Sequence, residues 1–450
     1  MNNIKFASRS DNKRPSSPVD LKAGLRAITR AVHNSTDPVE LTYQSEILLE
    51  GNFNIMTENG ARTGAIAYPI SRMPRLLSGR NPLVEPGVKK IAILRSNGIG
   101  DFIFTLPALE ALRNAYPAAE IVLLAMDWHA GFLRKRPSPI DRVVVLPRMQ
   151  GLDGSPHIDE DHQEVERFFE EMRQEQFDIA IQMHGGGKYS NPLVRRLGAR
   201  LTVGSCAENV LPLDRCVPYH FYHMEVLRYL EVVSLVGAFT TNLEPRIFVT
   251  DEDLQAAGQF APVSPESLAV IHPGAGDPRR RWPVEKFASV GADLVRAGAR
   301  VIIVGSGAEP EIAQGVCSAM RADCLNLFGK LDLNALAGLL SRASLVVSND
   351  SGPLHLAAAV GAPTVGIYWC GNMINAGPLT RARQRPAISW RLDCPVCGLD
   401  CTRTNCGHSE SFVADVPEAE VIGSALDLLH MAQKHAQNTP VAKQSAEGDY

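Results

Sequence analysis

The chain has 450 residues, of which 45% are apolar and 21% charged, and a formal net charge of −4. That length exceeds what one hydrophobic core usually organises, and the composition excludes a fibrous or wholly disordered protein. There is no broad basic field for nucleic acid, and the most membrane-like run, 354–368, is interrupted by His355, Gly361, Pro363 and Gly366.

The first twenty residues are polar and lack the apolar core of an export signal, so cytoplasm is the expected compartment. Residues 1–87 mix Pro, Ser, Asn and Arg with one amphipathic candidate helix at 21–32, and read as a partly disordered extension. Regular structure is expected from Lys89, where Lys-Lys-Ile-Ala-Ile-Leu-Arg is an apolar run of strand type ending in the turn-prone Ser96-Asn97-Gly98. Thereafter a helix is predicted at 102–115, strands at 121–125 and 143–146, a helix at 164–174, strands at 179–183 and 201–204, and a long closing helix at 220–236. Residues 240–265, rich in Pro, Thr and acidic groups, read as a connection and put a boundary near residue 250. The pattern then repeats, with strands at 268–272, 301–304, 345–348 and 364–367 among helices at 284–297, 310–320, 334–342 and 353–360. Such alternation predicts the α/β class: two doubly wound, Rossmann-like domains, 88–250 and 251–430, facing across a cleft, then a flexible tail at 431–450.

Ligands of doubly wound sheets bind beyond the carboxyl ends of the strands, and the chemically distinctive residues fall there. Gly98, Gly100 and Asp101 follow the first strand. Asp101 either caps the next helix or acts as a general base, with the glycines letting an acceptor approach the backbone. His184, in the Gly-rich loop after 179–183, is a candidate acceptor contact or part of a flexible loop. His272-Pro273-Gly274-Ala275-Gly276 and Arg279-Arg280-Arg281-Trp282-Pro283 suit a diphosphate, or form a solvated basic turn anchored by Trp282. After the strand at 345–348, Asp350, Ser351, Gly352, Pro353, Leu354 and His355 offer a helix start to a phosphate, or Asp350 merely caps that helix.

Gly305-Ser306-Gly307 lacks the third glycine of a dinucleotide fingerprint, which disfavours a nicotinamide oxidoreductase. Glu309 is a candidate for ribose hydroxyls or a solvated carboxylate. The nine cysteines do not suggest a full disulfide framework. Cys394, Cys397, Cys401 and Cys406, with His408 beyond, have the spacing of a small knuckle for structural zinc or iron; unpaired thiols or local disulfides are the alternatives. A closed site of that kind has no open position, so no metal is assigned to catalysis.

Taken together, residues 91–117 with Gly100-Asp101, the His272-Pro273-Gly274 and Arg280-Arg281-Trp282-Pro283 segments, and Asn349-Asp350-Ser351-Gly352-Pro353-Leu354-His355 resemble glycosyltransferase family 9, over roughly 88–430. The resemblance implies a GT-B fold and inverting transfer of heptose from ADP-heptose, without a metal at the reaction centre. The implied acceptor is a lipopolysaccharide-core or related glycan or glycolipid, reached by a cytoplasmic enzyme peripheral to the inner membrane. It implies Asp101 as the base, Arg280 where the family has a lysine on the donor phosphates, Glu309 near the ribose, and Asp350, Ser351, Gly352 and His355 in the donor loop. Ala275-Gly276 and Tyr368-Trp369-Cys370-Gly371 depart from the family pattern and leave the donor sugar open. Relatives with a cysteine-rich segment at a similar place include iron-carrying enzymes that glycosylate autotransporter proteins. A protein acceptor and a non-catalytic nucleotide-sugar scaffold are therefore the alternative readings.

Overall fold

The computed structural model describes residues 84–152, 159–306, 310–404 and 406–438. The candidate helix at 21–32, nearly all of the expected extension, and Glu309 lie outside the described residues. Residues 84–87 already dock: the Glu85 N–H donates to Tyr116 Oη at 3.1 Å and its carboxylate pairs with Arg215.

Two wholly parallel six-stranded sheets follow one another. The first holds β1 (Lys90–Leu94), β2 (Glu120–Ala125), β3 (Arg142–Val145), β4 (Ile179–Gln182), β5 (Leu201–Cys206) and β6 (Arg215–Pro218), in the order β3-β2-β1-β4-β5-β6. The second holds β7 (Ser267–His272), β8 (Ala299–Ile303), β9 (Leu325–Asn326), β10 (Leu345–Asn349), β11 (Thr364–Trp369) and β12 (Gln384–Ser389), in the order β12-β11-β10-β7-β8-β9. Counted from its own first strand, the second order equals the first. In each, the winding reverses beside the first strand, and a crevice opens there because neighbouring connections leave in opposite directions. The ends of β1, β4, β7 and β10 therefore define where a ligand can sit.

The central strands read as apolar runs because helices cover both faces: Ile91 to Leu94 are at most 1% exposed. Separate cores form around Phe169 in the first half and Phe287 in the second. A third, larger core is continuous from Leu109 and Val233 of the first half to Leu339 and Leu356 of the second. The halves are thus joined by apolar packing, to which each fully buried Leu or Phe contributes roughly 1.5–3 kcal/mol.

Several elements depart from the sequence expectations. The helix predicted at 102–115 is two, Ile99–Ile103 and Leu106–Ala115, separated where Thr105 Oγ1 donates to Phe102 O at 2.6 Å and Pro107 opens the second. The helix predicted at 220–236 is shorter, Glu225–Ser234, because the chain bends at residues 221–223 before the helix begins. The expected connection at 240–265 contains a helix, Asp251–Phe260, nucleated by a capping box between Thr250 and Asp253. The edge strands β6 and β12 carry Pro218 and Pro386 and lack an apolar run, which hid them. Helix Glu418–Asn438 continues past residue 430, where the tail was expected to begin. Among the described residues no helix is long and apolar enough to cross a membrane.

Candidate active site

From the end of β1 the chain turns through residues 95–98 into the helix Ile99–Ile103, whose N-cap position is Gly98 with no side-chain cap. Asp101 therefore does not cap this helix. Its side chain is 46% exposed, and its Oδ1 lies 3.1 Å from Nη2 of Arg95. Gly98 is in ordinary extended backbone, at φ −66° and ψ 171°, and gains nothing from being glycine on that account. Gly100 is different: a Cβ there would stand 3.0 Å from His355 Cδ2 and 3.4 Å from Gly352 Cα. The bare backbone at Gly100 brings the Asp101 turn against the start of helix Gly352–Ala359 in the other half.

His184, just beyond β4, sits with Nδ1 3.2 Å from Ser96 Oγ and Nε2 3.2 Å from Gly151 O. Burial, reinforced by the nearby Arg95 charge, pushes its pKa down to about 4, so the ring is neutral at pH 7. Both ring nitrogens are engaged within this half, and the residue braces the loops at 96 and 151.

In the second half, Asn349 at the end of β10 ties two loops together. Its Oδ1 accepts from the Trp282 N–H at 3.0 Å and its Nδ2 donates to Pro273 O at 2.7 Å. The loop after β7 and the arginine segment are thereby fixed beside each other. His272 Nδ1 lies 3.2 Å from Ser348 Oγ and 3.1 Å from Ser351 Oγ, and burial pushes its pKa down to about 4. The Asp350 side chain is 3% exposed and meets Arg280 Nη1 at 3.3 Å, His355 Nε2 at 3.0 Å and Asn372 Nδ2 at 2.8 Å. Burial alone would raise the Asp350 pKa, but the His355 and Arg280 contacts outweigh it and hold the carboxyl below its usual range. The N-cap position of helix Gly352–Ala359 is Ser351, so Asp350 is not a cap. Arg280, Asp350, Ser351, Gly352 and His355 are brought together, with a helix N-terminus in their midst. Leu354 is buried in the core, whereas Pro353 lines the adjacent cavity.

That cavity, of about 450 Å³, runs from Gly274–Gly276 past Ser306 and Phe328 to Ser351–Pro353. It has the size of a nucleoside site and ends on the helix start. Phe328 escaped the sequence reading, and its signal was Gly305: a Cβ there would lie 2.0 Å from the Phe328 ring. A second cavity, of about 610 Å³, is walled by Phe221, Tyr222, Arg280, Trp369, Thr402 and Phe412, and Tyr222 Oη donates across it to Thr402 O at 2.8 Å.

The cysteine-rich loop is closed by Cys394 N–H to Leu399 O at 2.8 Å and Cys401 N–H to Leu392 O at 3.0 Å. Ligand atoms of Cys394, Cys397, Cys406 and His408 all lie within 4.8 Å of one another. Cys401, expected as the fourth ligand, is outside this group; the backbone closure leaves its Sγ 3.4 Å from Leu399 O and 3.9 Å from Cys406 Sγ, and His408 takes its place. Three thiolates and an imidazole so spaced fit a four-coordinate zinc or iron, whose ligand atoms stand about 3.8 Å apart. The residues just beyond clamp the arginine segment: Phe412 N–H donates to Arg279 O at 2.7 Å, Ser411 Oγ to Arg281 O at 2.5 Å, and Trp282 Nε1 to Val416 O at 3.1 Å. Elsewhere Cys206–Cys216 and Cys317–Cys324 are joined as disulfides, which the sequence did not single out.

Comparison with known proteins agrees with the fold and points to one family. A family model described as glycosyltransferase family 9 (heptosyltransferase) matches residues 165–392. The lipopolysaccharide core heptosyltransferase OpsX of Haemophilus influenzae is 24% identical over 308 residues, covering 66% of this chain and 84% of that protein. The lipooligosaccharide heptosyltransferase 2 of the same organism is 27% identical, covering 62% of this chain and 82% of the relative. The fold is that of a family 9 glycosyl transferase from Veillonella parvula, with TM-score 0.63, 23% identity, and coverage of 76% of this chain and 97% of the other. It is likewise that of the E. coli ADP-heptose lps heptosyltransferase II, with TM-score 0.60, 22% identity and coverage of 76% and 99%.

Proposed function

Because the chain belongs to glycosyltransferase family 9 and is a glycosyltransferase, we propose that it moves heptose from ADP-heptose, with inversion, onto a hydroxyl of a lipopolysaccharide-core or related glycan. The observation that carries this reading is the contact of Gly100 with Gly352 and His355, which brings a strand-end carboxylate and a phosphate-type helix start into one cleft. The names of the similar proteins, which describe heptose transfer in lipopolysaccharide synthesis, support the donor and acceptor classes.

The nucleoside occupies the cavity beside Phe328, and Arg280 with the Ser351–Gly352 helix start holds the diphosphate. Asp101 accepts the proton of the attacking hydroxyl. The charge that develops on the leaving diphosphate is met by the Arg280 guanidinium and the helix dipole, both already oriented before reaction. The site residues take part without any metal. A zinc or iron held by Cys394, Cys397, Cys406 and His408 would supply a cross-link that steadies the arginine segment. A lipid-linked acceptor puts the enzyme at the inner membrane surface as a peripheral protein.

Calorimetry with ADP, UDP and GDP, followed by transfer from ADP-heptose to heptose-deficient lipopolysaccharide, tests the reading. ADP-selective binding that disappears in Arg280→Ala, with transfer abolished in Asp101→Asn, supports it. Preference for UDP or GDP retires the heptose assignment, and near-normal transfer by Asp101→Asn retires the base.

A further inference from the structure

Arg95 is the last residue before the turn that carries Asp101, and it has no counterpart in the roles described so far. It is 2% exposed, an unusual place for a guanidinium, and its contacts run through the two Nη groups, its Nε being buried without a hydrogen-bond partner among the described residues. Nη1 donates to Met183 O at 2.6 Å, at the end of β4, and to Tyr229 Oη at 2.5 Å on helix Glu225–Ser234. Tyr229 Oη in turn donates to the Glu225 carboxylate, and the Tyr229 ring centroid lies 5.0 Å from the guanidinium carbon. With Nη1 held from both sides, Nη2 is left 3.1 Å from Asp101 Oδ1 as an ion pair.

The consequence follows from the planarity of the group. A planar guanidinium fixed at one nitrogen by two acceptors and packed on a ring has little torsional freedom, so the position of Nη2 beside Asp101 is set by the first sheet and its covering helix. Asp101 sits on a five-residue helix with no side-chain cap and a half-exposed side chain, and nothing else bonds its carboxylate among the described contacts. The other charged or titratable groups around it are His184, which both Arg95 and Asp101 influence, Tyr229 and Glu225 behind Arg95, and His355, whose ring faces Gly100.

We propose that Arg95 is a positioning residue for the transfer reaction: anchored on Met183 and on the Tyr229–Glu225 pair, it holds one Asp101 oxygen and leaves the other directed at the acceptor hydroxyl. This rests on the reading of Asp101 as the base. Its effect therefore appears in turnover and not in donor binding, whose residues lie in the other half.

A double-mutant cycle tests it, with ADP release from ADP-heptose in the presence of acceptor as the assay and ADP calorimetry on each variant as the check that the second half is intact. Arg95→Met is expected to lower kcat by about 100-fold with the donor KM within about twofold, and Arg95→Lys to recover about tenfold of that loss. In the Asp101→Ala background, Arg95→Met is expected to cost less than about twofold more, because the group it acts through is gone. An undiminished further loss in that background, or no advantage of lysine over methionine, overturns the proposal. Near-normal turnover in Asp101→Ala overturns instead the base assignment on which it stands. Tyr229→Phe, which keeps the ring and Arg95 but breaks the link to Glu225, guards against misfolding of the methionine variant: a kcat loss smaller than that of Arg95→Met but with the same unchanged KM is expected, and a wild-type kcat overturns the anchoring.

Discussion

Gly100 and Gly352 meet across the cleft with no side chain between them: a Cβ on Gly352 would lie 2.6 Å from Ile99 Cγ2, and one on Gly100 would lie 3.4 Å from Gly352 Cα. The two turns that carry the site touch through their backbones. Ile99 is β-branched and has little room to yield. Gly352→Ala is therefore expected to destabilise the protein by about 1–3 kcal/mol and to weaken transfer, read as a lower urea midpoint and a lower kcat/KM; an unchanged midpoint with full activity shows that the contact is slack.

Arg136 of the first half binds Asp253 of the second in a bidentate pair, 2.7 and 2.9 Å, and also donates to Phe248 O at 2.5 Å and Asn334 Oδ1 at 3.2 Å. Both side chains of the pair are at most 3% exposed. Removing one leaves the other charge buried without its partner, so Arg136→Ala should cost about 3–5 kcal/mol. Arg136→Met combined with Asp253→Leu should recover a good part of that in denaturant unfolding. A double variant as unstable as the single shows that the hydrogen bonds also lost, to Phe248 and Asn334 and in the Thr250–Asp253 capping box, matter more than the charge pair.

Three buried histidines set an acid limit. Burial pushes His272 and His184 to about 4 and His129 to about 3, while the unfolded chain titrates near 6.5. As pH falls below 6.5 the unfolded state takes up protons that the folded state refuses, so stability is fully present above that value and is lost progressively down to about 4 for His272 and His184 and about 3 for His129. For His272 alone the loss is on the order of 3 kcal/mol. The depressed carboxyl of Asp350 adds a further loss in the same direction below the ordinary aspartate range. Among the described residues both ring nitrogens of His129 are buried without a hydrogen-bond partner, so His129→Phe should flatten the decline measured by urea unfolding at pH 7.5, 6 and 5. A profile parallel to wild type would exclude His129 from it.

The cysteine loop makes a selective prediction about metal. Cys394→Ser and His408→Ala remove members of the four-ligand group, and each should lose bound zinc or iron by elemental analysis and lower the melting temperature. Because residues 411–416 hold the arginine segment, the same variants should weaken ADP binding several-fold. Cys401→Ser should keep both its metal and its stability. Equal metal loss in Cys401→Ser would restore Cys401 as a ligand, and a metal-free wild type would leave the cluster as thiols alone.

The α/β class, the two-sheet organisation and most of the loops that meet at the candidate site were legible in the chain. Residues 90–94, 179–182, 267–272 and 345–349 are built around short apolar runs because both faces of a parallel sheet are buried, and each gives way within a residue or two to polar groups, Arg95-Ser96, His184, His272 and Ser348-Asn349. What the sequence left open were choices between two roles for one residue. Asp101 and Asp350 both read as helix caps or as site groups, and a cap is a local arrangement that any nearby carboxylate satisfies. Only the helix boundaries, with Gly98 and Ser351 at the N-cap positions, decided against capping, and only the fold showed the carboxylates turned to Arg95 and to Arg280, His355 and Asn372. That Phe328 walls the candidate cavity, and that His408, noted beside the cysteines, takes the place expected for Cys401, could not be read for the same reason. Their positions follow from loop closure and from Gly305 and Cys394, partners that only folding brings near, whereas hydrophobic pattern and turn chemistry act between neighbours in the chain and can be read from it.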